Sequence, residues 1–177
     1  RTPLNAVAGY SELLSGMVSD PKQQNYLDSI KTAGRNLLTL INDVLDLSKI
    51  EAGRMELQLS PVSLQMICNE IEQIFALKAS EKGLSFSLRI SDEVPELLEL
   101  DETRIRQVIL NLVGNAVKFT DEGYIRLSAR YRKENRTLVI RLEDTGIGIP
   151  EEAQNYIFEP FRKNEGSKDR IFGGAGL

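Results

Sequence analysis

The chain has no histidine and one cysteine, and no apolar run approaches the roughly 20 residues that span a bilayer. Each absence excludes something. Imidazole, the side chain that most often moves protons near neutral pH, must come from elsewhere if the chemistry needs it. The single thiol, Cys68, excludes an intrachain disulfide and fits a reducing compartment. Within "LQMICNEIEQIF" it reads as a small buried apolar residue rather than a reactive one. No Walker A pattern occurs, which excludes a P-loop, and neither an internal repeat nor a targeting signal is present. The net charge of -4 gives no general attraction for nucleic acid, so phosphate chemistry must come from a local site.

What remains is an ordinary soluble composition, 41% hydrophobic and 27% charged, in a chain of 177 residues. That length suits one large domain, or a small one joined to one of average size. Residues 22–52 place Tyr26, Ile30, Ala33, Leu37, Leu40, Val44 and Leu47 at alternating spacings of four and three, a heptad seam. A second stripe at Leu27, Gly34, Leu38, Ile41 and Leu45 widens the apolar face beyond what a two-stranded coil uses. Asp20 and Pro21 supply an N-cap and a first-turn proline, and Gly53 suits a left-handed C-cap. An opening helix, "RTPLNAVAGY", joins through "GMVSD" and so runs antiparallel to the second. A lone hairpin cannot cover both stripes. Its simplest completion is a homodimeric four-helix bundle, the alternative being packing on the rest of its own chain.

From residue 54 the pattern changes, and a second domain is expected over 54–177. Met55, Leu57 and Leu59 alternate with polar residues, as in a strand with one buried face. Ser63 can cap a helix carrying Leu64, Ile67, Ile71 and Ile74, and "LSFSLRI" reads as a strand. Asp101 can cap the helix "ETRIRQVILNLVGNAVKF", whose apolar face is Ile105, Val108, Ile109, Leu112, Val113 and Ala116. "YIRLSARYRK" and "RTLVIRLE" flank "KENR" as an antiparallel hairpin. Helices with antiparallel strands predict an α+β fold, a two-layer α/β sandwich behind the helical hairpin.

On the helix after Asp101, Gln107, Asn111, Asn115 and Lys118 recur at spacings of four, four and three and form a polar stripe. Two asparagines cost a helix interior several tenths of a kcal/mol each against alanine. Either the stripe is a solvated face, or its amide oxygens and cation converge on a metal and a polyphosphate, oxygen being what Mg²⁺ prefers. Next comes "DTGIGIP", an acid at a strand end followed by two glycines that permit close ligand approach. It is not the Rossmann fingerprint, which needs a third glycine opening a helix where Pro150 stands. "FEPF", a polar stretch and "GGAGL" complete the series, the last able to bring backbone N–H groups to phosphate oxygens.

In this order, and behind a heptad hairpin, "QVILNLVGNAVKFT", "DTGIGIP", "IFEPF" and "GGAGL" resemble the N, G1, F and G2 boxes of the sensor histidine kinases of two-component signalling. "RTPL" resembles the end of that family's H box, His-Glu-Leu-Arg-Thr-Pro-Leu. The resemblance covers essentially the whole chain and implies a Bergerat-type ATP-binding sandwich.

Position by position, it implies that Asn115 is a Mg²⁺ ligand, with Asn111 one turn earlier and Lys118 reaching the ATP phosphates. Phe119 matches a ring near the adenine, and Asp144 the carboxylate that accepts from the adenine amine. Gly146 and Gly148 shape the pocket wall. Gly174 and Gly176 resemble the hinge of a lid over residues 162–172, with Leu177 beside them in the nucleotide-binding set. Arg162 or Lys163 offers a cation to the transferring γ-phosphoryl group, where positioning and charge neutralisation do most of the catalysis. Thr2 matches a hydroxyl that, in many members, orients water for dephosphorylating the partner.

Hydrolases of the same fold carry a glutamate four residues before the metal-binding asparagine, where it activates water. Here Asn111 holds that place, and an amide is no general base near neutral pH. The family's acceptor histidine would lie three residues before Arg1, outside this sequence. Pro3, by itself a first-turn proline, would then sit inside the first helix and kink it. Members also continue past the G2 box, so further residues are expected after Leu177.

The resemblance thus implies a cytoplasmic kinase core with a hairpin over 1–53 for dimerisation and phosphotransfer and an ATP-binding domain over 54–177. It would bind Mg·ATP, phosphorylate a hairpin histidine and pass the group to an aspartate on a response regulator receiver domain. No nucleic-acid partner and no membrane contact by this segment are expected. A non-catalytic, dimeric, nucleotide-responsive scaffold is the alternative.

Overall fold

The structure, a computed structural model, describes residues 2–155 and 157. Two compact units divide these residues, one holding 2–55 together with 151–155 and 157, the other 56–150.

The first unit is a helical hairpin of α1 (Thr2–Ser15) and α2 (Pro21–Glu51). Its ends are set by local chemistry. The Asp20 carboxylate accepts from the N–H groups of Lys22 at 2.7 Å and Gln23 at 3.3 Å, and Pro21 opens the first turn. Gly53 takes a φ of 64° just past the C-cap, while the Gly53 and Arg54 N–H groups close on the carbonyls of Ile50 and Lys49. Lys31 and Glu12 form an ion pair between the helices at 3.1 Å. Of the second stripe, Leu27, Leu38 and Ile41 are half-buried and Gly34 is buried, while Leu45 at its end is 43% exposed. Most of the heptad seam stays in water: Tyr26 is 59% exposed, Ile30 44%, Leu37 45% and Val44 42%, while Leu40 and Leu47 are half-buried.

In the second unit the first strand is shorter than the alternation predicts. Residues 54–59 form no strand, and β1 is only Ser60–Val62. Leu57 and Leu59 are both largely exposed. After α3 (Leu64–Glu81) and β2 (Ser85–Ile90) comes β3 (Leu98–Leu100), whose antiparallel register pairs Leu100 with Ser60. Beyond Leu100 the chain turns into α4 (Glu102–Phe119), so nothing extended lies opposite 57–59. The Gln58 N–H bonds the Asp101 carboxylate at 2.9 Å in place of a ladder partner.

β4 (Tyr124–Arg132) and β5 (Thr137–Asp144) form the expected antiparallel hairpin, and β2 pairs with β4 in parallel, making the sheet β2-β4-β5 mixed. Parallel pairing needs a crossover, which α4 supplies between those strands. One face of the sheet carries Ile125, Leu127 and Ala129, packed with Leu64, Ile67, Cys68 and Ile71 of α3 and with Ile109, Val113, Ala116 and Val117 of α4. The other face carries Arg126, Ser128, Arg130 and Arg141, which no apolar layer could cover, so the unit has two layers. Three residues expected in the core lie outside it, Ile74 on α3 and Val108 and Leu112 on α4 being about half exposed. They flank the buried stripes, where neither element nor sheet reaches them. A single turn, α5 (Glu151–Gln154), follows.

Candidate functional site

The site is assembled at the C-terminal end of α4. That helix starts where Asp101 accepts from the Arg104 N–H at 3.0 Å, and its Ile109, Val113, Ala116 and Val117 are turned into the core. The polar stripe is thereby held outward. Asn111 and Asn115 are exposed, and their side chains make no hydrogen bond among the described residues. Gln107 does not belong with them, since its amide oxygen accepts from Arg104 at 3.0 Å. At the last turn the Lys118 ammonium stands 4.5 Å from the Phe119 ring centroid, both side chains half-buried.

Asp144 ends β5, and the loop after it is pressed against that last turn. The Gly146 N–H donates to Asp144 Oδ1 at 2.9 Å, and the Ile147 N–H to the Phe119 carbonyl at 3.3 Å. A Cβ on Gly146 would lie 2.6 Å from Phe119 O and 2.8 Å from Asp144 Oδ1, so only glycine fits there without a shift. Gly148 has a φ of 68°. Asp144 itself is exposed, and its second oxygen has no protein partner among the described residues.

The fold thus brings Lys118, Phe119, Asp144 and Gly146 to one place, with Asn115 and Asn111 on the preceding turns of α4. Thr2 opens α1. Arg162, Lys163, Gly174, Gly176, Leu177 and the lid expected over 162–172 lie outside the described residues. A recess of about 990 Å³ over the open sheet face, lined by Arg89, Arg126, Arg130 and Arg141 among others, includes none of the sequence-predicted residues.

The residues present fit a nucleotide and its magnesium ion. A free carboxylate oxygen suits an exocyclic amine, a half-buried ring suits a base and an ammonium suits phosphate. The described residues contain no cluster of three or more acidic, cysteine or histidine side chains able to hold a metal by themselves. A divalent ion would therefore share amide oxygens with phosphate oxygens, as Mg²⁺ does at nucleotide sites.

Two supporting residues escaped sequence reasoning. Thr145, quoted only as part of "DTGIGIP", donates from its hydroxyl to Glu122 O at 2.9 Å and accepts from the Tyr124 N–H at 2.9 Å, tying the loop to β4. Lys82, in "EKGL", reaches the end of α4, and nothing marks it in the sequence as more than a surface lysine. Cys68 is as expected: it is fully buried, and burial pushes its thiol up to about 11.

Residues 100–177 match the family model described as histidine kinase-, DNA gyrase B- and HSP90-like ATPase, and residues 1–53 that of the His Kinase A (phospho-acceptor) domain. The signal transduction histidine-protein kinase BarA of Escherichia coli (strain K12) is 41% identical over 180 residues, which take in 100% of this chain and 20% of BarA. The crystal structure of full-length ShkA in complex with AMPPNP superposes with a TM-score of 0.79 at 35% identity, over 100% of this chain and 36% of that one. The histidine kinase ThkA in complex with the response regulator TrrA gives a TM-score of 0.59 at 26% identity, over 91% of this chain and 47% of that one. The chain spans about a fifth of the length of the curated relatives it matches. With its helical hairpin, its Bergerat-type sandwich and these matches, the chain belongs to the sensor histidine kinase family of two-component signalling.

Proposed function

We propose that the chain binds ATP with Mg²⁺, transfers its γ-phosphoryl group to a histidine on the helical hairpin, and hands that group to an aspartate of a response regulator. The observation that carries it is the meeting of Lys118, Phe119, Asp144 and Gly146 at the end of α4. In that site Asp144 holds the adenine amine through its free oxygen, Phe119 lies near the base and Lys118 draws the phosphates. Asn115, with Asn111 behind it, gives amide oxygen to the ion, which when bound neutralises phosphate charge. Neither amide can deprotonate water near neutral pH, so the residues favour holding ATP for another acceptor over hydrolysing it. Thr2, Arg162, Lys163, Gly174, Gly176 and Leu177 keep the roles that their matching positions imply.

Residues 1–53 form the dimerisation and phosphotransfer domain, and 54–177 the ATP-binding domain. The exposed heptad seam supports a homodimer. The ThkA complex supports a response regulator as partner. None of the described helices is long and apolar enough to cross a membrane. The likeness to a stretch of larger histidine kinases supports a cytoplasmic placement of the segment.

Calorimetric titration of the wild type and Asp144→Asn with Mg·ATP tests the site. The variant keeps an oxygen for the Gly146 N–H but loses the carboxylate, and its affinity is expected to fall by about 1–3 kcal/mol with the unfolding midpoint unchanged. Equal affinities remove Asp144 from the adenine site. In the parent chain, a histidine three residues before Arg1 supports the kinase, and another residue there supports the nucleotide-responsive scaffold.

A further inference from the structure

The last turn of α4 is held from outside the motifs. A helix leaves its final carbonyls without intrahelical donors, and these must be met by side chains, water or the following chain. Here protein groups meet them all. Lys82, the C-cap residue of α3, directs its ammonium at Val117 O at 2.8 Å, Thr120 O at 3.1 Å and Lys118 O at 3.3 Å. An ammonium has three N–H donors, and this one has three carbonyls before it. The remaining carbonyl of the turn, Phe119 O, accepts from the Ile147 N–H at 3.3 Å. Asp121 Oδ1 lies 3.9 Å from the same ammonium and anchors it from beyond the helix end.

The turn so gripped bears Lys118 and Phe119. Its carbonyls form the negative end of the helix macrodipole, a poor neighbour for an anionic ligand. A cation bonded to three of them offsets that charge and fixes the backbone from which both side chains project.

We propose that Lys82 is a positioning residue of the nucleotide site: it clamps the C-terminal turn of α4 so that Lys118 and Phe119 stand against the loop of Asp144 and Gly146. The assignment rests on the nucleotide reading of that site. Lys82 touches no ligand and acts through the backbone of residues 117–120.

The test is a double-mutant cycle of Lys82→Met and Lys118→Met, with Lys82→Arg as the conservative variant. Mg·ATP affinity is measured by calorimetry at a temperature where every variant is folded, and unfolding in urea is measured without nucleotide. Lys82→Met is expected to weaken ATP binding about tenfold. Most of that loss should vanish in the Lys118→Met background, because residues acting through one another are non-additive. Lys82→Arg, which keeps charge and donors, should recover most of the affinity. If Lys82→Met does not fold, Lys82→Gln takes its place with the same expected pattern.

An unchanged affinity in the folded variant overturns the assignment. So does an equal loss in both backgrounds without rescue by arginine, which would make Lys82 a structural residue only. Failure of the wild type to bind ATP sinks the reading of the site and the assignment with it. Binding by the wild type with no Lys82 effect sinks the assignment alone.

Discussion

Gly146 shows how little room the site leaves at the level of a single residue. Its N–H is bonded to Asp144, and the space where a side chain would begin is filled by the Phe119 carbonyl and the Asp144 carboxylate. The Asp144 carboxylate could turn aside, but the Phe119 carbonyl is backbone, so a methyl group must displace the end of α4. Gly146→Ala is expected to destabilise the fold by about 1–3 kcal/mol, the range for forcing a methyl into a packed site. It should weaken ATP binding further, since both displaced groups belong to the proposed site. Urea unfolding and calorimetry on the same samples check this. Wild-type behaviour in both would show that the loop moves aside freely and that the close approach is not required. Cys68 is the opposite case. Buried among Leu64, Ile67 and Ile71, with its thiol held up to about 11, it offers neither the thiolate nor the exposure that reactivity demands.

Among the elements, α4 depends most visibly on one side chain. Asp101 accepts from the Gln58 N–H across the chain and from the Arg104 N–H as N-cap, and these donors, Gln58 foremost, hold its carboxyl below the ordinary 3.8. A depressed pKa in the folded state means that the unfolded chain binds the proton more readily, so stability rises with pH in that window. The contribution is present in full above pH 3.8 and is lost as the pH falls through the depressed value. Asp101→Asn, which cannot ionise, should be less stable than the wild type at pH 6, with the difference shrinking as the pH drops below 4. Urea unfolding across that range decides it. A gap that stays constant with pH would mean that the carboxylate charge adds nothing. The same helix shows what a sequence can and cannot disclose. Asp20, Ser63 and Asp101 are legible as caps because a cap needs only its own residue and the next three or four. The β4–β5 hairpin and the buried stripes of α3 and α4 are likewise local patterns. The strand expected over Met55–Leu59 fails because its fate depends on Leu100, some forty residues away, where the partner strand ends. The parallel pairing of β2 with β4 is hidden for the same reason. Asn111, Asn115, Lys118 and Asp144 are legible as a set through their motifs. Lys82 is not, since its significance lies in carbonyls that only the fold brings to it.

At the scale of the whole molecule, the hairpin leaves an apolar seam in water. Tyr26, Ile30, Leu37 and Val44 follow heptad spacing along α2, and all four remain more than two-fifths exposed while Leu27, Gly34, Leu38 and Ile41 of the neighbouring stripe are sheltered. Such a row costs free energy in proportion to its area until something covers it. A second copy presenting the same seam would do so by two-fold symmetry and complete a four-helix bundle. Leu37 lies mid-seam, so Leu37→Glu places two carboxylates at the centre of the proposed interface, where burying an unpaired charge is prohibitive. Sedimentation equilibrium should then show a dimer for the wild type and a monomer for the variant. Asn36→Glu adds the same charge one residue away, off the seam, and is expected to leave the dimer intact. The Mg·ATP affinity of Leu37→Glu should match the wild type, because Asn115, Lys118, Phe119 and Asp144 all belong to residues 56–150. A wild-type chain that sediments as a monomer, or a Leu37→Glu variant that still dimerises, would remove the seam as the interface and leave its exposure to be explained by a different partner.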